Sequence, residues 1–151
     1  MSQDGPAEEV IDSPSGWVAK HIREYVESGG QRGHRRWGVT HLLLTTRGRR
    51  TGKLRRTALI YGQDGDRYVV VASSGGQPQH PSWYLNLRAD SWVRVQVGTD
   101  TFPAYAATAE GPERDRLWEL MAGIWPDYRS YQRRTSREIP VVTLEPRQPP
   151  G

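Results

Sequence analysis

Apolar positions recur along this chain in short blocks whose spacing switches between helical and extended. Val18, Ile22, Tyr25 and Val26 stand at i, i+4, i+7 and i+8, with Lys20, Arg23, Glu24 and Glu27 between them, which predicts an amphipathic helix beginning near Pro14. Ser28-Gly29-Gly30 ends it. His41–Thr46 reads as a buried strand and Thr57–Gly62 as its neighbour. Asp64-Gly65 reads as a tight turn into a strand over 67–72. A loop rich in Ser, Gly and Pro over 73–81 leads to a short helix over 82–88. Trp92, Val93, Val95 and Val97 mark a strand over 91–98, followed by another over 101–108. Gly111-Pro112-Glu113 opens a helix with proline early and an acid in the first turn; it carries Leu117, Trp118, Leu120, Met121 and Ile124 and stops before Pro126. An aromatic, basic segment over 127–137 precedes a last strand over 139–144.

This pattern holds about six strands and two main helices, with strands joined by short turns rather than by helices. Short links favour antiparallel pairing, so the expected fold is α+β with a small barrel, not a doubly wound parallel sheet. Residues 1–15 read as a disordered tail, 16–38 as helix and connection, 39–145 as the barrel domain and 146–151 as a frayed Pro-rich end.

Composition narrows the chemistry. A chain of 151 residues suits one domain. Six Trp and seven Tyr against one Phe favour rings that pack at one end and hydrogen-bond at the other. A net charge of +4 and a pI of about 9.7 favour anionic partners. The absence of Cys excludes disulfides, thiolate metal sites and Cys nucleophiles. The acidic, polar start has no apolar signal region, and no apolar run approaches the ~20 residues of a membrane span, so a cytoplasmic protein is expected.

Two stretches carry the candidate chemistry. Thr45 to Arg56 (TTRGRRTGKLRR) holds six cations and two glycines between two apolar runs. Glycines let a backbone turn close to a ligand, and arginine forks match phosphate and carboxylate oxygens. Residues 71–88 (VASSGGQPQHPSWYLNLR) run from a strand through two serines and two glycines into a helix bearing Trp83, Asn86 and Arg88. Exposed amides in such a loop bind anionic oxygens or ring carbonyls. Other sites are excluded. Gly48 to Lys53 is one residue short of a P-loop, and Leu54 stands where a magnesium-holding hydroxyl belongs. His21, His34, His41 and His80 show no metal-ligand spacing, and no GxSxG elbow or GxGxxG after a strand is present.

Together, GRRTG, ASSGG, HPSWYLNLRA and YRSYQRRTSREIPV, in this order, resemble the deazaflavin-dependent nitroreductases and F420H2-dependent quinone reductases, split β-barrel proteins that bind coenzyme F420. The likeness runs from about Thr40 to Leu144. It implies that Arg49, Arg50, Thr51, Gly52, Lys53 and Arg55 or Arg56 hold the phosphate and oligoglutamate tail of the cofactor. Thr57, Ala58 and Leu59 would lie along the deazaflavin, and Ala72, Ser73, Ser74, Gly75 and Gly76 against the ring system. Trp83 would brace the cofactor-side helix or plug the core, and Asn86 would hydrogen-bond nearby. Trp125, Tyr128 and Tyr131 would wall the acceptor side. Three positions depart from the usual family pattern: Thr57-Ala58-Leu59 lacks a proline, Ser74 replaces a lysine and Trp125 a tyrosine.

The implied reaction is hydride transfer from reduced F420 to a quinone-like or nitroaromatic small molecule, with Ser73, Tyr128 and Tyr131 nearest the chemistry. The rival readings are an FMN-binding split-barrel oxidoreductase, a non-catalytic F420-binding protein, and a nucleic-acid binder. FMN needs fewer cations, and the aromatics do not interleave with the basic loop as nucleic-acid binding requires. Trp17 and the Val18/Ile22/Tyr25/Val26 stripe, followed by Arg32, Arg35 and Arg36, either rest on the inner face of the cell membrane or pack on the barrel. Oligomeric state is left open.

Overall fold

The structure, a computed structural model, describes residues 8–14 and 16–150. Residues 1–7 and 15 of the segment read as a disordered tail, and Gly151, lie outside the described residues. Nine strands form one sheet: β1 (Val10–Asp12), β2 (Arg35–Arg36), β3 (Val39–Arg47), β4 (Leu54–Ile60), β5 (Gly62–Asp64), β6 (Arg67–Val71), β7 (Trp92–Val97), β8 (Asp100–Thr108) and β9 (Val141–Pro146). Four helices accompany it: α1 (Gly16–Glu27), α2 (Ser82–Ala89), α3 (Gly111–Ile124) and α4 (Asp127–Arg133).

The strand order is β1-β4-β3-β7-β8-β9-β6-β5, with β2 added to β3. Pairing is antiparallel except between β1 and β4. The sheet is curled but not closed, with β1 and β5 as its ends. The strands beyond the six expected, β1, β2 and β5, are each two or three residues long. Runs that short leave no alternation to read in a sequence. One of them, β1, lies inside the segment expected to be a disordered tail; it is held by its ladder with β4 and by Arg56, whose guanidinium donates to Asp12 at 2.6 Å and 3.2 Å.

β3 is buried on both faces from His41 to Thr46, and its alternation sorts side chains into two cores. Leu42 and Leu44 point into the main core with Val70, Val95, Ala104, Val142 and Leu144. Leu43 points the other way, with Ala58, onto Val18, Ile22 and Tyr25 of α1. A third cluster lies under α3 and α4, where Leu117, Trp118, Met121 and Tyr128 cover Val69, Val71 and Val141.

The packing of α1 decides one open question. Val18, Ile22 and Tyr25 are buried against the sheet, so three of the four stripe residues are core; Val26 and Trp17 stay exposed. The Tyr25 hydroxyl donates to the His41 carbonyl at 3.0 Å and accepts from the Gly98 amide at 2.7 Å, which bolts α1 across β3 and the β7–β8 turn. Burial pushes this phenol up to about 12, so it stays protonated. Among the described residues no helix is long and apolar enough to cross a membrane.

Candidate functional site

The basic loop between β3 and β4 is a compact turn. Its Gly48 amide donates to the Lys53 carbonyl at 2.7 Å, and the Gly52 amide returns to the Gly48 carbonyl at 2.8 Å. Gly52 sits at φ +73°, where a side chain is strained. Arg47 donates to the Gly52 carbonyl at 2.8 Å and pairs with Glu8. Asn86 of α2, only 4% exposed, accepts from both the Arg49 amide (3.2 Å) and the Arg49 guanidinium (2.8 Å) and donates to Thr46 at 3.3 Å. Asn86 therefore fixes the loop and aims Arg49.

These parts wall a cavity of about 490 Å³ lined by Arg49, Arg50, Thr51, Arg55, Arg56, Thr57, Trp83 and Asn86. The opposite wall is the segment 11–14, which entered no sequence expectation. Gly52 and Lys53 shape or flank the loop without lining the cavity. Arg49, Arg50, Lys53 and Arg55 form no ion pair among the described residues, whereas Arg56 is engaged by Asp12. A chamber in which Arg49, Arg50 and Arg55 stand without an ion pair among the described residues, on a fixed backbone, suits an extended polyanion.

A second cavity of about 730 Å³ adjoins the first, sharing Thr57 and Trp83 as walls. Its floor includes Ala58 and Leu59 of β4 together with Ser73, Ser74 and Gly75; its aromatic side is Trp125, Tyr128 and Tyr131. Trp83 both lines the two cavities and packs its half-buried ring on the main core. Tyr128 is 5% exposed and lies 6.1 Å, ring to ring, from Tyr131 in an edge-on arrangement. Burial drives the Tyr128 phenol above the usual tyrosine range, so it keeps its proton.

The serine–glycine loop is held in an unusual conformation. Ser74, Gly75 and Gly76 all take positive φ (+47°, +63° and +82°). A non-glycine residue there is strained, and such strain collects at ligand sites. Arg137 holds the loop from behind. Its guanidinium donates to the carbonyls of Ser73 (2.8 Å), Gln77 (2.9 Å) and Ala72 (3.3 Å) and contacts His80 Nδ1 at 3.1 Å. Gly76 lies so close to α4 that a Cβ would stand 2.6 Å from the Tyr131 carbonyl. The loop and the tyrosine helix thus form one unit. Ala72 is fully buried in the main core, and neither it nor Gly76 lines a cavity.

Sequence reading missed several walls of the second cavity. Trp17 and Val18 come from α1, while Trp37 and His41 come from the hairpin β2–β3. Trp37-Gly38 is its two-residue turn, both residues at positive φ, with Arg36 paired to Val39. A residue before glycine between two extended runs was the available signal.

The family profile described as F420H(2)-dependent quinone reductase matches residues 17–146. The F420H(2)-dependent quinone reductase Rv1261c of Mycobacterium tuberculosis (strain ATCC 25618 / H37Rv) is 39% identical over 143 residues, covering 86% of this chain and 96% of that one. A solved F420-H2 dependent reductase (FDR-A) superposes with a TM-score of 0.65 at 42% identity, covering 70% of this chain and 93% of the other. A solved chain described as a domain-swapped dimer gives 0.69 at 38% identity, covering 88% and 100%.

Proposed function

Because the chain belongs to the F420H(2)-dependent quinone reductase family, we propose that it reduces a quinone with F420H2, holding the cofactor tail in the basic cavity and its ring beside the aromatic one. The observation that carries this reading is the adjacency of the two cavities at Thr57 and Trp83, which sets a charged chamber beside an aromatic one. The residues fit the group. Arg49, Arg50 and Arg55, without an ion pair among the described residues, suit a phosphodiester and several carboxylates, and FMN would leave most of them without an anionic partner. The Ser73–Gly76 loop, strained and clamped by Arg137, suits a planar ring edge.

When bound, reduced F420 supplies a hydride. The chain's own part is to bind, orient and exclude water. Trp125, Tyr128 and Tyr131 supply flat apolar faces for an aromatic acceptor, and the protonated phenol of Tyr128 offers a hydrogen bond to an oxygen that gains charge. Ser73 offers a second hydroxyl from the floor of the same cavity. A nitroaromatic fits the same slot by size and planarity. No covalent nucleophile is needed.

Exposed Trp17 and Trp37, 53% and 56% accessible, lie 5.1 Å apart at the cavity mouth near exposed Arg32 and Arg35. This rim supports peripheral docking on an anionic bilayer that delivers a lipidic quinone. The rim replaces the α1 stripe as the basis for that reading.

The test is a titration of the protein with F420 and FMN in parallel, and of an Arg50→Ala/Arg55→Ala variant with F420 of long and short glutamate tails. F420 should bind more tightly than FMN. The variant should lose about tenfold or more for the long tail and less for the short one. Equal affinity for both cofactors, or tail-independent losses, would refute the assignment.

A further inference from the structure

Three histidines gather beside α1, and two are already committed. His21 Nε2 lies 2.5 Å from the Gly33 carbonyl, which can only accept, so that nitrogen carries the proton. His34 Nε2 is 2.8 Å from the Tyr61 hydroxyl. The third, His41, has its Nδ1 buried without a hydrogen-bond partner among the described residues, as has His21, although the Val39 carbonyl lies near enough to the His41 ring to favour the charged form. It is 2% exposed, yet its ring forms part of the wall of the aromatic cavity. A buried polar group without a partner costs free energy and calls for an explanation.

The surroundings define what that ring can do. His21 stands edge-on at 4.8 Å and Trp37 edge-on at 5.7 Å. Arg36, His21 and His34 all disfavour a second positive charge at His41, and Glu24 on α1 pairs with Arg36 at 3.8 Å. The ring is therefore neutral at neutral pH, and because Nδ1 is sealed off, Nε2 is the nitrogen that can meet a ligand, donating when it carries the proton. Trp37 adds a second sign of function. It occupies the first central position of a two-residue hairpin turn at φ +56°, where Asn, Asp or Gly is the comfortable choice. The strained turn holds a Trp ring 56% exposed at the cavity mouth, 6.2 Å from Trp125.

From this geometry we propose that the β2–β3 hairpin is an acceptor clamp, in which neutral His41 donates a hydrogen bond to a carbonyl oxygen of the quinone and Trp37 lies against its ring. This rests on the acceptor reading above. It adds a donor from the β2–β3 hairpin to the hydroxyls of Tyr128 and Ser73 on the same cavity, so an acceptor with two oxygens gains more from it than an acceptor with one. His41 thereby becomes a specificity-determining residue. His21 is a positioning residue: fixed on Gly33, it backs the His41 ring and cannot swing in to replace it.

The experiment uses the full chain loaded with oxidised F420 and menadione as the probe, with no reductant present. Infrared difference spectra should show a carbonyl band of bound menadione shifted down relative to free menadione. His41→Leu should abolish that downshift and weaken menadione binding about tenfold, and His41→Gln, which keeps an N–H donor, should restore much of both. F420 affinity should be unchanged in each. In the wild-type chain, the imidazole 15N resonances of His41 should move on menadione binding, a readout that does not depend on any variant folding. Menadione bound with an identical carbonyl band in wild type and His41→Leu, or with unmoved His41 resonances, would overturn the clamp while leaving the acceptor reading intact. Failure of wild type to bind menadione at all would instead remove the quinone reading, and the clamp with it.

Discussion

The buried histidine makes a sharp prediction about stability against pH. Burial, reinforced by His21, Arg36 and His34, lowers His41 from 6.5 to about 4, with the Val39 carbonyl working in the opposite sense. In the unfolded chain the same group takes up a proton near 6.5. Between these values the unfolded state holds more protons than the folded state, so stability falls as pH falls. The full gap corresponds to about 3.4 kcal/mol at 1.36 kcal/mol per pH unit, and about 2.5 kcal/mol of it is lost between pH 7 and pH 4.5. The ring borders the open aromatic cavity, so water there screens part of this and the figure is an upper value. His21, also lowered by burial, adds in the same direction. The assay is urea unfolding of wild type and His41→Gln at half-unit steps from pH 7.5 to 4.5. Carboxylates titrate in both proteins, so the difference curve isolates His41. Wild type should lose about 2 kcal/mol relative to the variant across the window, with most of the slope below pH 6.5. Parallel curves would mean that folding does not disfavour protonation of the ring, so that it takes up its proton near 6.5 in both states, and burial would no longer hold His41 neutral.

Two further outcomes follow from the site's supports. Asn86→Ala removes three hydrogen bonds to Arg49 and Thr46, so it should cost about 1–3 kcal/mol in urea unfolding and weaken F420 binding about tenfold by releasing Arg49; unchanged affinity would show that Arg49 needs no anchor. Gly76→Ala places a methyl group 2.6 Å from the Tyr131 carbonyl at φ +82°, so it should destabilise by about 2 kcal/mol and shift α4 away from the loop, seen as a changed fluorescence of Trp125; wild-type stability would refute the tight docking of loop and helix.

Most of the architecture was legible because the long elements obey simple periods. The helix on Val18, Ile22 and Tyr25, the strands with alternating Val, and the helix opened by Gly111-Pro112 all appear where spacing put them. The two loops that border the cavities were legible for a different reason: cations and glycines are concentrated in short, unusual segments whose chemistry has few other uses. Resemblance to a family then joined those segments into one site, which residue spacing alone could not do.

What the sequence could not determine lies where distant segments meet. Whether the α1 stripe faced lipid or protein depended on Leu43 and Ala58, which sit on strands remote in the chain. The segment 10–12 has no pattern of its own and is a strand only because β4 offers an open edge and Arg56 a partner for Asp12. His41 read as an ordinary strand residue, since nothing local reveals that its carbonyl holds Tyr25, that His21 is occupied elsewhere, or that its ring meets a cavity. Periodicity determines which residues turn inward, because burial follows the repeat of the backbone. Only tertiary structure determines which of the inward-facing polar groups are left without a partner, because a hydrogen bond is satisfied or orphaned by the chain on its other side.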